Sequence, residues 1–158
     1  MINLIFVTGN QKKLEQARQA LSDYPINLTN QKIETPEIQD EDCQKIAEFS
    51  AKYACEQIGK PVVTTDAGFY FKGLKGFPGP FVKFINQWLS PQDLLKLMEG
   101  KKNRIVESPV CVAYCEPRKD PISFLAQNYG KVANQAQGEG STVDQLYIPK
   151  GYKKSIGT

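Results

Sequence analysis

The run Asn3-Leu4-Ile5-Phe6-Val7-Thr8 constrains the fold more than any other feature of the chain, because its apolar residues follow one another without alternation. Such a strand has no solvent face and suits a sheet buried on both sides. Gly9 and Asn10 then make a turn. Leu14, Ala17 and Leu21 recur at helical spacing until Asp23 and Pro25 stop the helix, and Ile26 to Ile33 reads as a second strand.

A polar loop with Glu34, Pro36 and Glu37 leads to a helix expected from Glu41 to Ile58, with Ile46, Phe49, Tyr53 and Ala54 as its apolar face. Gly59, Lys60 and Pro61 end it. Val62 to Thr65 reads as a third strand and Phe69 to Phe71 as a fourth, after a turn at Asp66, Ala67 and Gly68. The loop Lys72 to Pro80 holds three glycines and two prolines. Phe81, Phe84, Ile85 and Trp88 mark a helix face, and Ser90, Pro91 and Asp93 start another helix that runs to Gly100. Strands follow at Ile105 to Cys115, Ile122 to Gln127 and Val132 to Gln135, separated by Pro117, Pro121 and Gly130. This order predicts a mixed α/β fold, a long twisted sheet with flanking helices, in a single domain over residues 1–158.

The net charge of +3 is too small to demand a polyanionic partner, so nucleic acid is not expected. The apolar run Leu4 to Val7 is too short for a signal peptide or a membrane span, and a cytoplasmic protein is expected. Cys43, Cys55, Cys111 and Cys115 lack CxxC spacing and read as buried reduced thiols. There is no histidine, which removes Ser-His, Cys-His and His-metal chemistry together. Catalysis is left to carboxylates, lysines and a metal.

Three groups of residues could carry such chemistry. Thr8, Gly9, Asn10, Gln11, Lys12 and Lys13 lie between the first strand and the opening of a helix, where free N–H groups and the helix dipole favour an anion. Lysines in a first turn oppose the dipole unless a phosphate is shared between them, although the same residues also suit an ordinary strand–turn–helix connection. Glu37 and Asp66 follow the second and third strands, so they fall at the carboxyl edge of the sheet with that turn. Two acids beside a phosphate call for a divalent cation with oxygen ligands, Mg²⁺ above all; the plain alternative is a solvated loop acid and a turn former. Third, the glycine- and proline-rich loop through Phe81 brings backbone close to a ligand and ends at Lys83, or is merely a structured loop.

Taken together, Thr8-Gly9-Asn10 with Lys13, the Pro36-Glu37 loop, Asp66 before Gly68, and Gly76-Phe77-Pro78-Gly79-Pro80-Phe81 with Lys83 resemble the successive motifs of the inosine triphosphate pyrophosphatase family. The resemblance implies an elongated α/β fold with two lobes around a nucleotide cleft, usually a homodimer. It implies hydrolysis of inosine, deoxyinosine and xanthosine triphosphates (ITP, dITP, XTP) to the monophosphate and pyrophosphate. By residue match, Thr8 through Lys13 would cradle the triphosphate, Glu37 and Asp66 would hold Mg²⁺, with Mn²⁺ as a substitute, and Asp66 would activate water. Ala67, Lys83, Asp144 and, in place of a lysine that aligns with Ser50, Lys52 would contact the substrate.

The chain departs from the family pattern in places. Thr65 stands where a second acid is usual, and Ser141-Thr142-Val143-Asp144-Gln145 stands for a segment whose aromatic ring stacks on the purine. The family's Ser-His-Arg motif and closing helix are not found before Thr158. These departures imply loose reading of the base, and they leave open a catalytically silent nucleotide-binding or scaffold homologue.

Overall fold

The computed structural model describes residues 2–158. Their elements run β1 (Ile2–Val7), α1 (Gln11–Ala20), β2 (Ile26–Gln31), α2 (Cys43–Ile58), β3 (Val62–Ala67), β4 (Phe69–Phe71), a 3₁₀ turn (Lys72–Leu74), β5 (Pro78–Gly79), α3 (Val82–Trp88), α4 (Pro91–Leu97), β6 (Ile105–Cys115), β7 (Ile122–Val132) and β8 (Tyr147–Pro149). The strands form one mixed sheet in the order β2-β1-β3-β6-β4-β5, with β7 beside β6 and β8 beside β7. The expected α/β class is what is observed. No described helix is long and apolar enough to cross a membrane.

By contact the chain forms two compact units. Among the described residues the first comprises 2–40, 44–66 and 111–125. In it β1 pairs parallel with β2, from Ile2 opposite Ile26 to Val7 opposite Gln31, and parallel with β3 at Ile5–Val62 and Phe6–Val63. Parallel neighbours need crossovers, and α1 and α2 supply them.

Helix α2 differs from its sequence reading. Its buried face is Cys43, Ala47, Ala51, Ala54 and Cys55, whereas Phe49 is exposed and stacks on Tyr53 at 6.5 Å between ring centres. Small side chains at helical spacing let the helix backbone sit close to the sheet, which the larger residues would prevent. Thr64 on β3 uses that proximity: its buried hydroxyl donates to the Ala47 carbonyl at 2.8 Å. All four cysteines are free and buried, as expected.

The second unit comprises residues 41–43, 67–110 and 126–158. Its core is Phe71, Ile85, Leu94, Met98, Val106, Val132, Val143, Leu146 and Tyr147. Helix α4 begins as read, with Ser90 and Asp93 in a reciprocal capping box and Pro91 at the first position. Gly130 does not separate two strands, because β7 runs through it to Val132. The glycine is needed inside the strand: a β-carbon there would strike the Tyr147 ring and the Ile148 carbonyl of the paired strand β8.

Candidate active site

Parallel strands deliver their carboxyl ends to one edge of a sheet, so the register of β1, β2 and β3 decides which loops meet. Phe6 lies opposite Val63 and Val7 opposite Gln31. Continuing both ladders brings Gly9 level with Asp66 on one side and Ile33 on the other.

Side chains hold the turn after β1. Thr8 Oγ1 accepts from the Asn10 N–H at 3.1 Å, and Asn10 Oδ1 accepts from the Lys13 N–H at 3.3 Å, which makes Asn10 the N-cap of α1. The first turn of α1 contains no acid and carries Lys12 and Lys13, so the positive end of the helix and two ammonium-bearing side chains coincide. Lys13 then reaches across to β3. Its Nζ donates to the Thr65 carbonyl at 3.2 Å. Burial pushes the Lys13 pKa below its ordinary 10.5, and the negative charge of Asp66 opposes that shift. A cation and a carboxylate thus stand together at the end of β3.

Asp66 is half-buried, with its Oδ2 out of solvent, and the neighbouring Thr65 hydroxyl is buried without a hydrogen-bond partner among the described residues. Lys32, just past β2, brings a further cation that the sequence reading missed. A β-carbon on Gly9 would lie 3.7 Å from Lys32 Cε, so the lysine stem arches over the turn. The β1–β2 register is the signal that finds it. Glu37 sits exposed in the loop after β2. Lys52 is placed elsewhere in this unit: its Nζ donates to the Lys119 carbonyl at 3.1 Å and pairs with Asp120 at 3.2 Å, beside the turn between β6 and β7.

In the second unit Ala67 ends β3 and Gly68 follows in tight quarters, its N–H donating to the Pro109 carbonyl at 3.2 Å. A β-carbon on Gly68 would come within 2.5 Å of the Tyr70 ring and 3.0 Å of the Gly79 backbone. Lys83 lies in the first turn of α3, its Nζ 5.9 Å from the centre of the Phe84 ring. Asp144 closes a turn: its Oδ2 accepts from the Ser141 N–H at 3.1 Å, and its own N–H donates to Ser141 Oγ at 3.3 Å. Val143, between them, is a core residue.

The sequence profile of the Ham1 family matches residues 4–158. The chain belongs to the Ham1 family. Among its relatives, a dITP/XTP pyrophosphatase of Methanopyrus kandleri is 35% identical over 151 residues, covering 95% of this chain and 80% of that protein. One from Methanosarcina acetivorans is 34% identical over 140 residues, covering 89% and 76%. In fold the chain is similar to a HAM1 protein from Coxiella burnetii, with TM-score 0.82 and 21% identity over 99% of this chain and 86% of the other.

Ham1 proteins are in general metal-dependent. No group of three or more His, Cys, Asp or Glu that could hold a metal occurs among the described residues. Hard divalent cations take oxygen donors, carboxylates among them. Asp66 and Glu37 are oxygen donors of that kind.

Proposed function

We propose that this Ham1 protein hydrolyses non-canonical purine nucleoside triphosphates, ITP, dITP and XTP, to the nucleoside monophosphate and pyrophosphate. The observation that carries this reading is the meeting of Lys13 with the end of β3 beside Asp66, at the same edge as the capped start of α1. A triphosphate needs positive charge around its oxygens, and attack on phosphorus needs a group to take the proton from water. The turn from Thr8 to Lys13 provides the first and the Asp66 carboxylate the second.

In this reading the N–H groups of Gln11 and Lys12, the Lys13 ammonium and Lys32 bind and orient the phosphate chain. Lys13 also neutralises charge that builds on the departing pyrophosphate. Asp66 accepts the proton of the attacking water. Asp66 and Glu37 would hold Mg²⁺, which when bound screens the phosphate charge and polarises the phosphoryl group. The relatives named as dITP/XTP pyrophosphatases support dITP and XTP as substrates, and the acid beside the anion-binding turn disfavours the silent-homologue reading.

We also propose a homodimer. Strand β7 leaves Ile122 and Phe124 exposed on one face, an apolar pair on which a second copy of the chain would fit. Light scattering on the purified protein reads the mass directly, and a monomer at micromolar concentration contradicts the proposal. The enzymatic reading is tested with dITP, XTP and ITP in the presence of Mg²⁺ and then of excess chelator. Turnover that ceases with the chelator is expected; undiminished turnover, or none under either condition with folded protein, overturns it.

A further inference from the structure

The first unit contains a second group of reactive side chains that the proposed hydrolysis does not use. Cys55, in the last turn of α2, and Cys115, the final residue of β6, are 60 positions apart in the chain, yet their side chains lie near enough for each thiol to feel the other's charge. Each residue is only 1% exposed. The remaining polar contacts of the two sulfurs run to backbone: Cys55 Sγ donates to the Lys60 carbonyl at 3.4 Å, and Cys115 Sγ lies 3.5 Å from the Lys119 carbonyl and 3.6 Å from that of Glu116. Both cysteines border a pocket of about 330 Å³ whose other walls include Lys52, Gly59, Pro117 and Arg118.

From this geometry we infer that Cys55 and Cys115 form a reversible disulfide, an oxidation site that staples the end of α2 to the end of β6. Four observations support it. The two cysteines line one pocket, on segments already tied together by the Lys52–Lys119 hydrogen bond. Both lie on regular elements whose positions are fixed by hydrogen bonding. The pocket gives a small oxidant a route to sulfurs that are otherwise covered. The Lys119 carbonyl, which receives Cys115 Sγ, also receives the Lys52 ammonium, so a positive charge stands near any thiolate that forms.

The reaction balances with hydrogen peroxide as oxidant. One thiol loses its proton, its thiolate attacks a peroxide oxygen and becomes a sulfenic acid, and the departing hydroxide takes up that proton as water. The second thiol then attacks that sulfur, the S–S bond forms, and the hydroxyl departs with a proton as a second water. A low-molecular-weight disulfide does the same by two exchanges, releasing two small thiols. Burial pushes the Cys55 thiol up to about 11, so its thiolate is scarce at neutral pH and closure takes place slowly.

The test uses the whole chain. The reduced protein is incubated with hydrogen peroxide or oxidised glutathione, its remaining thiols are alkylated, and tryptic peptides are weighed. The expected result is the Cys55 peptide cross-linked to the 105–118 peptide, which holds Cys111 and Cys115, two hydrogens lighter than the sum with Cys111 alkylated; the titre falls from four thiols to two and is restored by dithiothreitol. The Cys43→Ser/Cys111→Ser double variant keeps this cross-link, and either Cys55→Ala or Cys115→Ser alone abolishes it. A titre that stays at four, a bridge through Cys43 or Cys111, or stable added oxygen on Cys55 with no cross-link would each overturn the inference.

Discussion

Gly9→Ala separates the needs of the fold from those of the proposed phosphate site. Gly9 is exposed, its φ is not in the left-handed region, and a β-carbon would meet only the Lys32 stem, at 3.7 and 4.0 Å. These are ordinary van der Waals distances, and the Lys32 methylenes can give way. Alanine therefore adds no strain, and by restricting the unfolded chain it stabilises the fold by roughly 0 to 1 kcal/mol. A shift in melting temperature of about 0 to +4 °C follows for a chain of this size. The same methyl group projects over the turn between Thr8 and Asn10, where a phosphate oxygen would need backbone contact. Displacing the triphosphate by about 1 Å costs on the order of a hundredfold in kcat/KM. Thermal unfolding and steady-state hydrolysis of ITP check the two halves on one preparation. A melting temperature lower by more than about 3 °C would show that Gly9 serves the fold, and unchanged kcat/KM would show that the turn does not cradle phosphate.

Asp66→Asn keeps shape and removes charge, and is expected to lower kcat by at least about a hundredfold with circular dichroism unchanged; near-normal turnover would make Asp66 a turn residue only. Gly68→Ala is the structural counterpart of Gly9→Ala: with Tyr70 and the Gly79 backbone in its way, it costs roughly 1–3 kcal/mol in urea unfolding. Thr64→Val removes a buried hydroxyl without leaving a cavity, and because the Ala47 carbonyl keeps its place in the α2 ladder, the loss is about 1 kcal/mol by the same assay. The Asp93 carboxyl is held below its ordinary 3.8 by the Ser90 hydroxyl and then the Ser90 N–H. Its contribution is fully present above 3.8 and is lost as pH falls through the lower folded value, so the melting temperatures of wild type and Asp93→Asn converge on acidification.

Much of this was legible in the residues because local chemistry and tertiary role agree. The apolar run of β1, buried at Phe6 and Val7 though exposed at its start, the Gly9-Asn10 turn and the Ser90-Pro91-Asp93 cap each carry their own signal. The misreadings share a cause: the informative residue is small or its partner is distant in sequence. Helix α2 buries alanines and cysteines, which weigh little on a hydrophobicity scale against Phe49 and Tyr53, yet close approach to the sheet selects the smaller side chains. Gly130 reads as a break until the Tyr147 ring that occupies its missing side chain is in view. Lys32 has no motif of its own and joins the candidate site only through the parallel register with β1. Lys52 likewise has partners distant in sequence, meeting Asp120 and the Lys119 carbonyl at the β6–β7 turn.

The central claim is tested most directly by the phosphorus products of a single triphosphate. With ITP, Mg²⁺ and purified protein, phosphorus NMR is expected to show inosine monophosphate and pyrophosphate appearing together in equal amounts from the first turnover. Orthophosphate and inosine diphosphate as the first products would contradict the account, since they place the cleavage at the terminal phosphate rather than between the α- and β-phosphates.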